Sequence, residues 1–584
     1  MIEAQFGLSL QYDTGFQPSV ALNANGLVIE VHQSEGASSD LWSRVGRVEG
    51  LSVIWSGAKH FDEGKPPVCA LNNNGIAIEV HETNSPFSSA LWYHVGYANA
   101  DGLEWGGSHK YQDGAQPAVA VNDGGEVVEV HKSQSNSGLW YLVGKVANGG
   151  ITFGSSVHFG DGREPKVAMN NRGGVVVVYR DANGDGLHYS VGTLRNGTLS
   201  LGPARSYDAG ALPAVALTDD GVVVEAHESQ SLNGVWQRTG RIVGDSIEWA
   251  GGATQFDNGA QMSVAASGTR AIQVHRAELA GRSLWSSVCL LVDRANWMRD
   301  NRSTVGQRRL RDVVTSASHD AGMFDGGLAG RTQDLSLYGQ MNYGVRYFDL
   351  RPKLFLGDFY IAHGIVLGPL FARVLDDTAQ FMREGHQELV ILKISHYDSF
   401  DDTVYKNFTK LVEEKLGPWL VKDLPGPLRD QTVADLTANG GRVLVLCDGD
   451  YPVNTDTKRP GFWVYRDWQS ETADKGDLVV FDQYSDTTSF SGMQSDQFKK
   501  FNEYTGRTKS GDHVCDMFLL SWTLTPVTDV WAFSKEANRN LDFSLRSLTI
   551  PNGHGQIVNL IYVDYVQYSR ATDVAILLNQ KVRV

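Results

Sequence analysis

In the second half of the chain, several apolar runs end in residues that do chemistry. Ser318-His319-Asp320 closes one run, Phe348-Asp349-Leu350-Arg351 a second and Ala362-His363-Gly364 a third, followed by Phe481-Asp482-Gln483-Tyr484 and Val563-Asp564-Tyr565. Imidazoles exchange protons near neutral pH, a guanidinium suits phosphate oxygens, and carboxylates orient both. One histidine at a strand end is ordinarily structural. Two of them, with an arginine between and on successive strand ends, point to acid–base work on a phosphate.

Such residues act together only if one scaffold brings them to one rim. From about Asn296, apolar runs alternate with amphipathic stretches such as Phe371 to Glu384. The runs are Val313 to Ser318, Val345 to Leu350, Tyr360 to His363, Leu389 to Ile394, Val443 to Leu446, Leu478 to Phe481, Phe518 to Trp522 and Ile557 to Val563. Eight buried runs of this kind predict a (β/α)₈ barrel over residues 296–584, a fold whose strand ends carry the reaction.

Ser318-His319-Asp320-Ala321, Gly344 to Arg351 and Ala362-His363-Gly364 resemble the X-region of phosphatidylinositol-specific phospholipases C, with Thr332-Gln333, Gln340 and Trp522 to Pro526 in support. The resemblance implies His319 as the general base on the inositol 2-hydroxyl, oriented by Asp564. It implies His363, assisted by Asp320, as the acid for the departing diacylglycerol, Arg351 on the phosphate and Asp349 as a positioning group. Asp482 and Tyr484 would hold the inositol. The bacterial branch of the family implies an inositol 1,2-cyclic phosphate product, membrane phosphatidylinositol (or glycosylphosphatidylinositol anchors) as substrate, and a secreted protein. Cys447-Asp448, read as the end of the fifth strand, departs from that branch, which has a basic inositol ligand there. Calcium-dependent relatives need a cluster of oxygen ligands; Asp349-x-Arg351 and Ser395 stand where such ligands would be, so no metal or other cofactor is expected. A metal-dependent glycerophosphodiesterase or sphingomyelinase D-like enzyme would need carboxylate clusters that Arg351 opposes. A non-enzymatic binding protein would ordinarily have lost one of His319, Arg351, His363 and Asp564.

The first half is a repeat. Glu30-Val31-His32, Glu79-Val80-His81, Glu129-Val130-His131, Val178-Tyr179, Glu225-Ala226-His227 and Gln273-Val274-His275 recur at steps of 48 to 50 residues, each followed by a Leu-Trp-like pair such as Leu41-Trp42. Four alternating segments per period, the last from Leu51 to Phe61 in the first copy, predict propeller blades. The sixth copy stops near Leu291, and Leu8 to Asp13 matches the missing outer strand. Residues 1–290 are therefore expected to form a six-bladed β-propeller whose last blade is closed by the N-terminal strand. The Glu, His and Trp markers either line glycan sites, as in six-bladed lectins, or serve the packing between blades.

The net charge of −16 excludes nucleic acid as the principal partner, and no run of four Lys/Arg offers simple adhesion to anionic lipid. No 18-residue apolar stretch predicts a transmembrane span, and the start of the chain has no signal-peptide pattern. Cys69, Cys289, Cys447 and Cys515 have no metal-ligand spacing and read as small buried hydrophobes.

Overall fold

The computed structural model describes residues 2–36, 39–84, 89–230, 234–277, 281–397, 400–526 and 529–581. Met1 and residues 582–584, at the ends of the two expected domains, lie outside the described residues. The chain divides into two units, Met1–Val292 and Asp293–Val584.

Among the described residues, the alternating segments of the first unit fold into six antiparallel sheets. In the first blade Phe16–Leu22, Leu27–Gln33 and Asp40–Glu49 pair in order. The outer edge is not one strand: Ser52–Trp55 and Lys59–Glu63 each pair with Asp40–Glu49, and a bulge at Leu41/Trp42 twists the second piece. The second to sixth blades start at Lys65–Leu71, Ala115–Val121, Arg163–Met169, Ala211–Leu217 and Ala260–Ser267. In the sixth, Leu10–Thr14 pairs antiparallel with Ser283–Leu290, Leu10 opposite Ser286. The innermost strands pack side by side around the ring, the last against the first, giving a six-bladed propeller.

Each blade is covered on both faces by its neighbours, so a strand such as Val28 to His32 is buried throughout rather than alternately. Glu30, Glu79, Glu129 and Glu225 are fully buried, each accepting from the Nδ1 of the histidine two residues on at 2.9–3.2 Å. Three of them also accept a tyrosine hydroxyl from the preceding outer strand: Tyr12, Tyr111 and Tyr207. The Glu and His markers are thus spent inside the propeller, whereas Trp42, Trp92, Trp140, Trp236 and Trp285 stay partly exposed.

The second unit contains a closed barrel of eight parallel strands: β1 Thr315–Ser318, β2 Tyr347–Leu350, β3 Leu389–Ile394, β4 Arg442–Cys447, β5 Phe462–Asp467, β6 Leu478–Asp482, β7 Met517–Ser521 and β8 Leu560–Val563. Helices Phe371–Arg383, Asp402–Leu416, Phe490–Glu503 and Val530–Arg546 cross between strands. Two details correct the sequence reading. Tyr360–His363 is no barrel strand but lies in the middle of an antiparallel ribbon, Pro352–Phe355, Asp358–His363 and Val366–Leu370, inserted after β2. The barrel strand overlooked is β5, so Cys447-Asp448 ends the fourth strand and not the fifth. Among the described residues β5 is preceded by a loop without a helix and followed only by a 3₁₀ turn, Ala473–Lys475, so the βα alternation gives no cue to it.

All four cysteines are buried and unbridged. Among the described residues no helix is long and apolar enough to cross a membrane.

Candidate active site

The pairing of β1 with β8 puts Ser318 opposite Val563, so the next residue of each strand meets at the rim. There His319 Nδ1 donates to Asp564 Oδ1 at 2.7 Å, while the His319 amide bonds the Val563 carbonyl at 3.1 Å. Gln333 staples this junction: its Nε2 donates to the carbonyls of His319 and Val563, and its Oε1 accepts from the Val566 amide. Gln340 accepts from the Ser318 hydroxyl at 2.7 Å and holds the base of the same loop. Asp320 follows in the left-handed region at φ +39°, a conformation aspartate tolerates better than most side chains and one that turns its carboxylate to the barrel mouth.

Asp320 is the meeting point. Its Oδ2 lies 3.3 Å from His319 Nε2 and 3.6 Å from His363 Nε2, and its Oδ1 lies 2.6 Å from Arg351 Nε. The inserted ribbon, and not a barrel strand, carries His363 there. Arg351 bridges onward, its Nη2 2.9 Å from Asp349 Oδ2.

Asp349 is fully buried and accepts from Tyr562 Oη at 2.7 Å and Ser395 Oγ at 3.2 Å, with Lys393 Nζ 3.2 Å away. Burial alone would raise its pKa; Lys393 and Arg351 hold it well below the usual carboxylate range. Against the same burial, neighbouring carboxylates push Arg351 and Lys393 upward, so both stay charged. Lys393 also lies 3.4 Å from Asp482, which accepts from Tyr465 Oη at 2.8 Å. From Asp564 to Asp482 the rim is an arc of alternating charge.

Burial would lower the His319 pKa, but the Asp320 and Asp564 carboxylates raise it to about 9. Burial raises Asp564, opposed by His319. The tautomer is set by Asp564: with Nδ1 donating, Nε2 faces the open mouth.

Seven of the eight residues singled out from sequence are joined in this arc. Tyr484 is not: it lies two residues beyond β6 with its side chain 60% exposed, in none of the ring contacts or hydrogen bonds of the other seven among the described residues. Sequence reasoning missed Lys393, Tyr562 and Tyr465. Lys393 carried a usable signal, a lysine inside Leu389-Val390-Ile391-Leu392-Lys393-Ile394, where an unpaired charge would be prohibitive. The other arginine of the second-strand motif, Arg346, is fully buried at the opposite end of β2 and pairs with Glu388 at 2.8 Å. It belongs to the floor of the barrel.

No protein-family model matches the chain. A PI-PLC X-box domain-containing protein of Dictyostelium discoideum is 31% identical over 178 residues, 27% of this chain and 23% of that protein. The 1-phosphatidylinositol phosphodiesterase of Listeria monocytogenes is 31% identical over 128 residues, 18% of this chain and 39% of that protein. A human PI-PLC X domain-containing protein 2 is 31% identical over 90 residues, 15% of this chain and 29% of that protein. The chain thus spans well under half the length of these relatives. Among solved structures, the phosphatidylinositol-specific phospholipase C from Listeria monocytogenes aligns with 50% of this chain and 100% of its own, at 18% identity and a TM-score of 0.35. A lectin of Aleuria aurantia aligns with 49% of this chain and 93% of its own, at 12% identity and a TM-score of 0.35. In sequence, the chain is therefore similar to PI-PLC X-domain proteins over about a quarter of its length or less.

Proposed function

We propose that the barrel is a phosphatidylinositol diacylglycerol-lyase that works by histidine acid–base catalysis without a metal. The observation that carries this reading is Asp320, whose carboxylate is shared by His319, His363 and Arg351. His319 Nε2 takes the proton of the inositol 2-hydroxyl, whose oxygen attacks phosphorus. The bond from phosphorus to the diacylglycerol oxygen breaks, and His363 supplies the proton to that oxygen. Diacylglycerol leaves, and inositol 1,2-cyclic phosphate remains. Asp564 stabilises the His319 imidazolium formed on the way, and Arg351 neutralises the equatorial phosphate oxygens. Asp349 anchors Arg351, and Asp482 with Tyr484 receives the inositol hydroxyls and ring face. The places a divalent ion would take beside Asp349 hold Arg351 and Lys393, two cations fixed by the fold.

The ribbon that bears His363 supports a lipid surface as substrate. Its two turns present Leu356 and Ile365, 88% and 95% exposed, the latter two residues from His363. Fully exposed aliphatic side chains beside a catalytic mouth suit contact with a bilayer. For the propeller we infer a targeting role through cell-surface glycans. A groove of about 590 Å³ between the first and second blades is lined by Arg47, Glu49, Trp55, Asn74, Tyr97 and Asn99. Aromatic faces beside amide and charged groups match sugar chemistry.

The test is turnover of phosphatidylinositol vesicles in excess chelator, followed by phosphorus NMR of the water-soluble product. Undiminished formation of a cyclic phosphate is expected. No cyclic phosphate in chelator, with choline released from sphingomyelin or glycerol phosphate from a glycerophosphodiester only when metal is added, would overturn both substrate and mechanism.

A further inference from the structure

The propeller repeats one inter-blade position six times, and the second copy differs from the rest in a way that changes its chemistry. At each position the outer strand of one blade faces the marker histidine of the next (Tyr179 in the fourth), together with the residue paired opposite the marker Glu (Val177 in the fourth, Gln273 in the sixth). In the first and fifth blades that residue is an arginine, Arg44 opposite Glu30 and Arg238 opposite Glu225, ion-paired with Asp13 and Asp208. In the third, fourth and sixth it is Leu142, Ser190 or Ser287. In the second it is His94, opposite Glu79. His94 faces Asp62 of the first blade's outer strand, and His81 faces the same carboxylate.

Both imidazoles are oriented from behind. His81 Nδ1 donates to Glu79 at 3.0 Å, and His94 Nδ1 donates to the Gly106 carbonyl at 2.8 Å. Each Nε2 is thereby turned to Asp62 Oδ2, at 3.7 Å from His81 and 2.8 Å from His94. Phe61 occupies the place from which Tyr12, Tyr111 and Tyr207 donate to the other marker glutamates, so Glu79 serves His81 without that competitor. A histidine whose second nitrogen donates to a carboxylate or a backbone carbonyl is the usual outer-shell arrangement of a metal-ligating imidazole.

We propose that Asp62, His81 and His94 bind a divalent transition-metal ion, zinc fitting best, between the first and second blades. The three ligand atoms lie within 4.8 Å of one another. Ligands about 2.0–2.1 Å from a tetrahedral ion stand about 3.3 Å apart, and the observed 2.8 and 3.7 Å bracket that spacing. Two imidazoles and one carboxylate select zinc and its neighbours over calcium or magnesium, which prefer oxygen. Both histidines are buried, while Asp62 is partly exposed and gives the ion its entry and a solvent position. The ion would supply the positive charge that Arg44 and Arg238 supply at their own positions.

The competing explanation is that a protonated His94 merely stands in for that arginine. Zinc titration of the chelator-stripped full chain at pH 7.5, competed against a chromophoric chelator, separates the two. One tightly held ion per chain is expected, weakened at least 100-fold in His94→Arg. The variant should fold, because arginine is the native residue at two equivalent positions. Asp62→Asn should weaken binding at least 10-fold. Cobalt should give visible absorption of tetrahedral intensity in the native chain and none in His94→Arg. Absence of a bound ion in the native chain, or equal binding by His94→Arg, would overturn the site.

Discussion

Lys393 and Asp349 are register partners on adjacent barrel strands, and their side chains close an ion pair of 3.2 Å inside the barrel. Lys393 also touches Asp482, so one buried ammonium couples the proposed phosphate end of the rim to the proposed inositol end. Lys393→Met leaves the buried Asp349 and the partly buried Asp482 short of a partner. It should cost about 3 kcal/mol in denaturant unfolding and lower kcat about 100-fold. The double variant with Asp349→Asn should recover much of the stability and none of the activity.

His319→Ala and His363→Ala should each reduce turnover of phosphatidylinositol by about 10²–10⁴-fold or more while leaving the circular dichroism spectrum near native; His319→Ala should also lower the unfolding midpoint, since it leaves Asp320 and Asp564 without their imidazole. Full activity in either variant would remove that histidine from the mechanism.

The pH dependence follows from the carboxylates around His319. A base with a pKa of about 9 is mostly protonated at neutrality, so kcat/KM should climb with pH towards a limb near that value. Asp564→Asn or Asp320→Asn removes a charge that raises it, and the limb should move down towards the ordinary histidine range near 6.5. The stability sign is opposite. A raised folded-state pKa means that the contribution of His319 is complete below about 6.5 and is lost as pH rises through about 9. Thermal unfolding between those values should show it, and the loss should shrink in Asp564→Asn.

Ile365→Ser should lower the rate on vesicles about 10-fold, since an exposed side chain of this size contributes on the order of 1–2 kcal/mol when buried in lipid. The rate on a short-chain monomeric substrate should stay unchanged. Equal loss on both would mean that the turn shapes the active site instead of meeting the membrane.

A glycan array read with the whole chain should give binding that Trp55→Ala and Tyr97→Ala weaken about 10-fold or more. Absence of binding to every glycan on the array would leave the groove between the first and second blades without its proposed ligand.

The fold class was legible because both halves are periodic. Glu-x-His and Leu-Trp return at steps of 48 to 50 residues, and barrel strands such as Leu389–Ile394 are apolar runs between amphipathic helices. What escaped was local. Tyr360–His363 alternates like a strand and is one, but its partners are antiparallel neighbours within an insertion, and a single sequence does not tell pairing partners apart. Phe462–Asp467 ends in Arg466-Asp467 and lacks flanking helices, so nothing marks it as a barrel member. Within the site, motif order located His319, Asp320, Asp349, Arg351, His363 and Asp564. Lys393 escaped because a lysine in an apolar strand signals a buried partner without naming it, and only the strand pairing identifies Asp349. The marker glutamates were ambiguous for a related reason: whether Glu30 faces a ligand or Tyr12 depends on the neighbouring blade.

The antiparallel seam between Leu10–Thr14 and Ser283–Leu290 also orders events during synthesis. The first of these strands leaves the ribosome early and has no partner until the second emerges, by which time the five intervening blades are already available to fold. Until then the ring stays open, with an unpaired edge at Leu10–Thr14. Closure is a contact between distant parts of the chain and is slow for that reason, however readily single blades form.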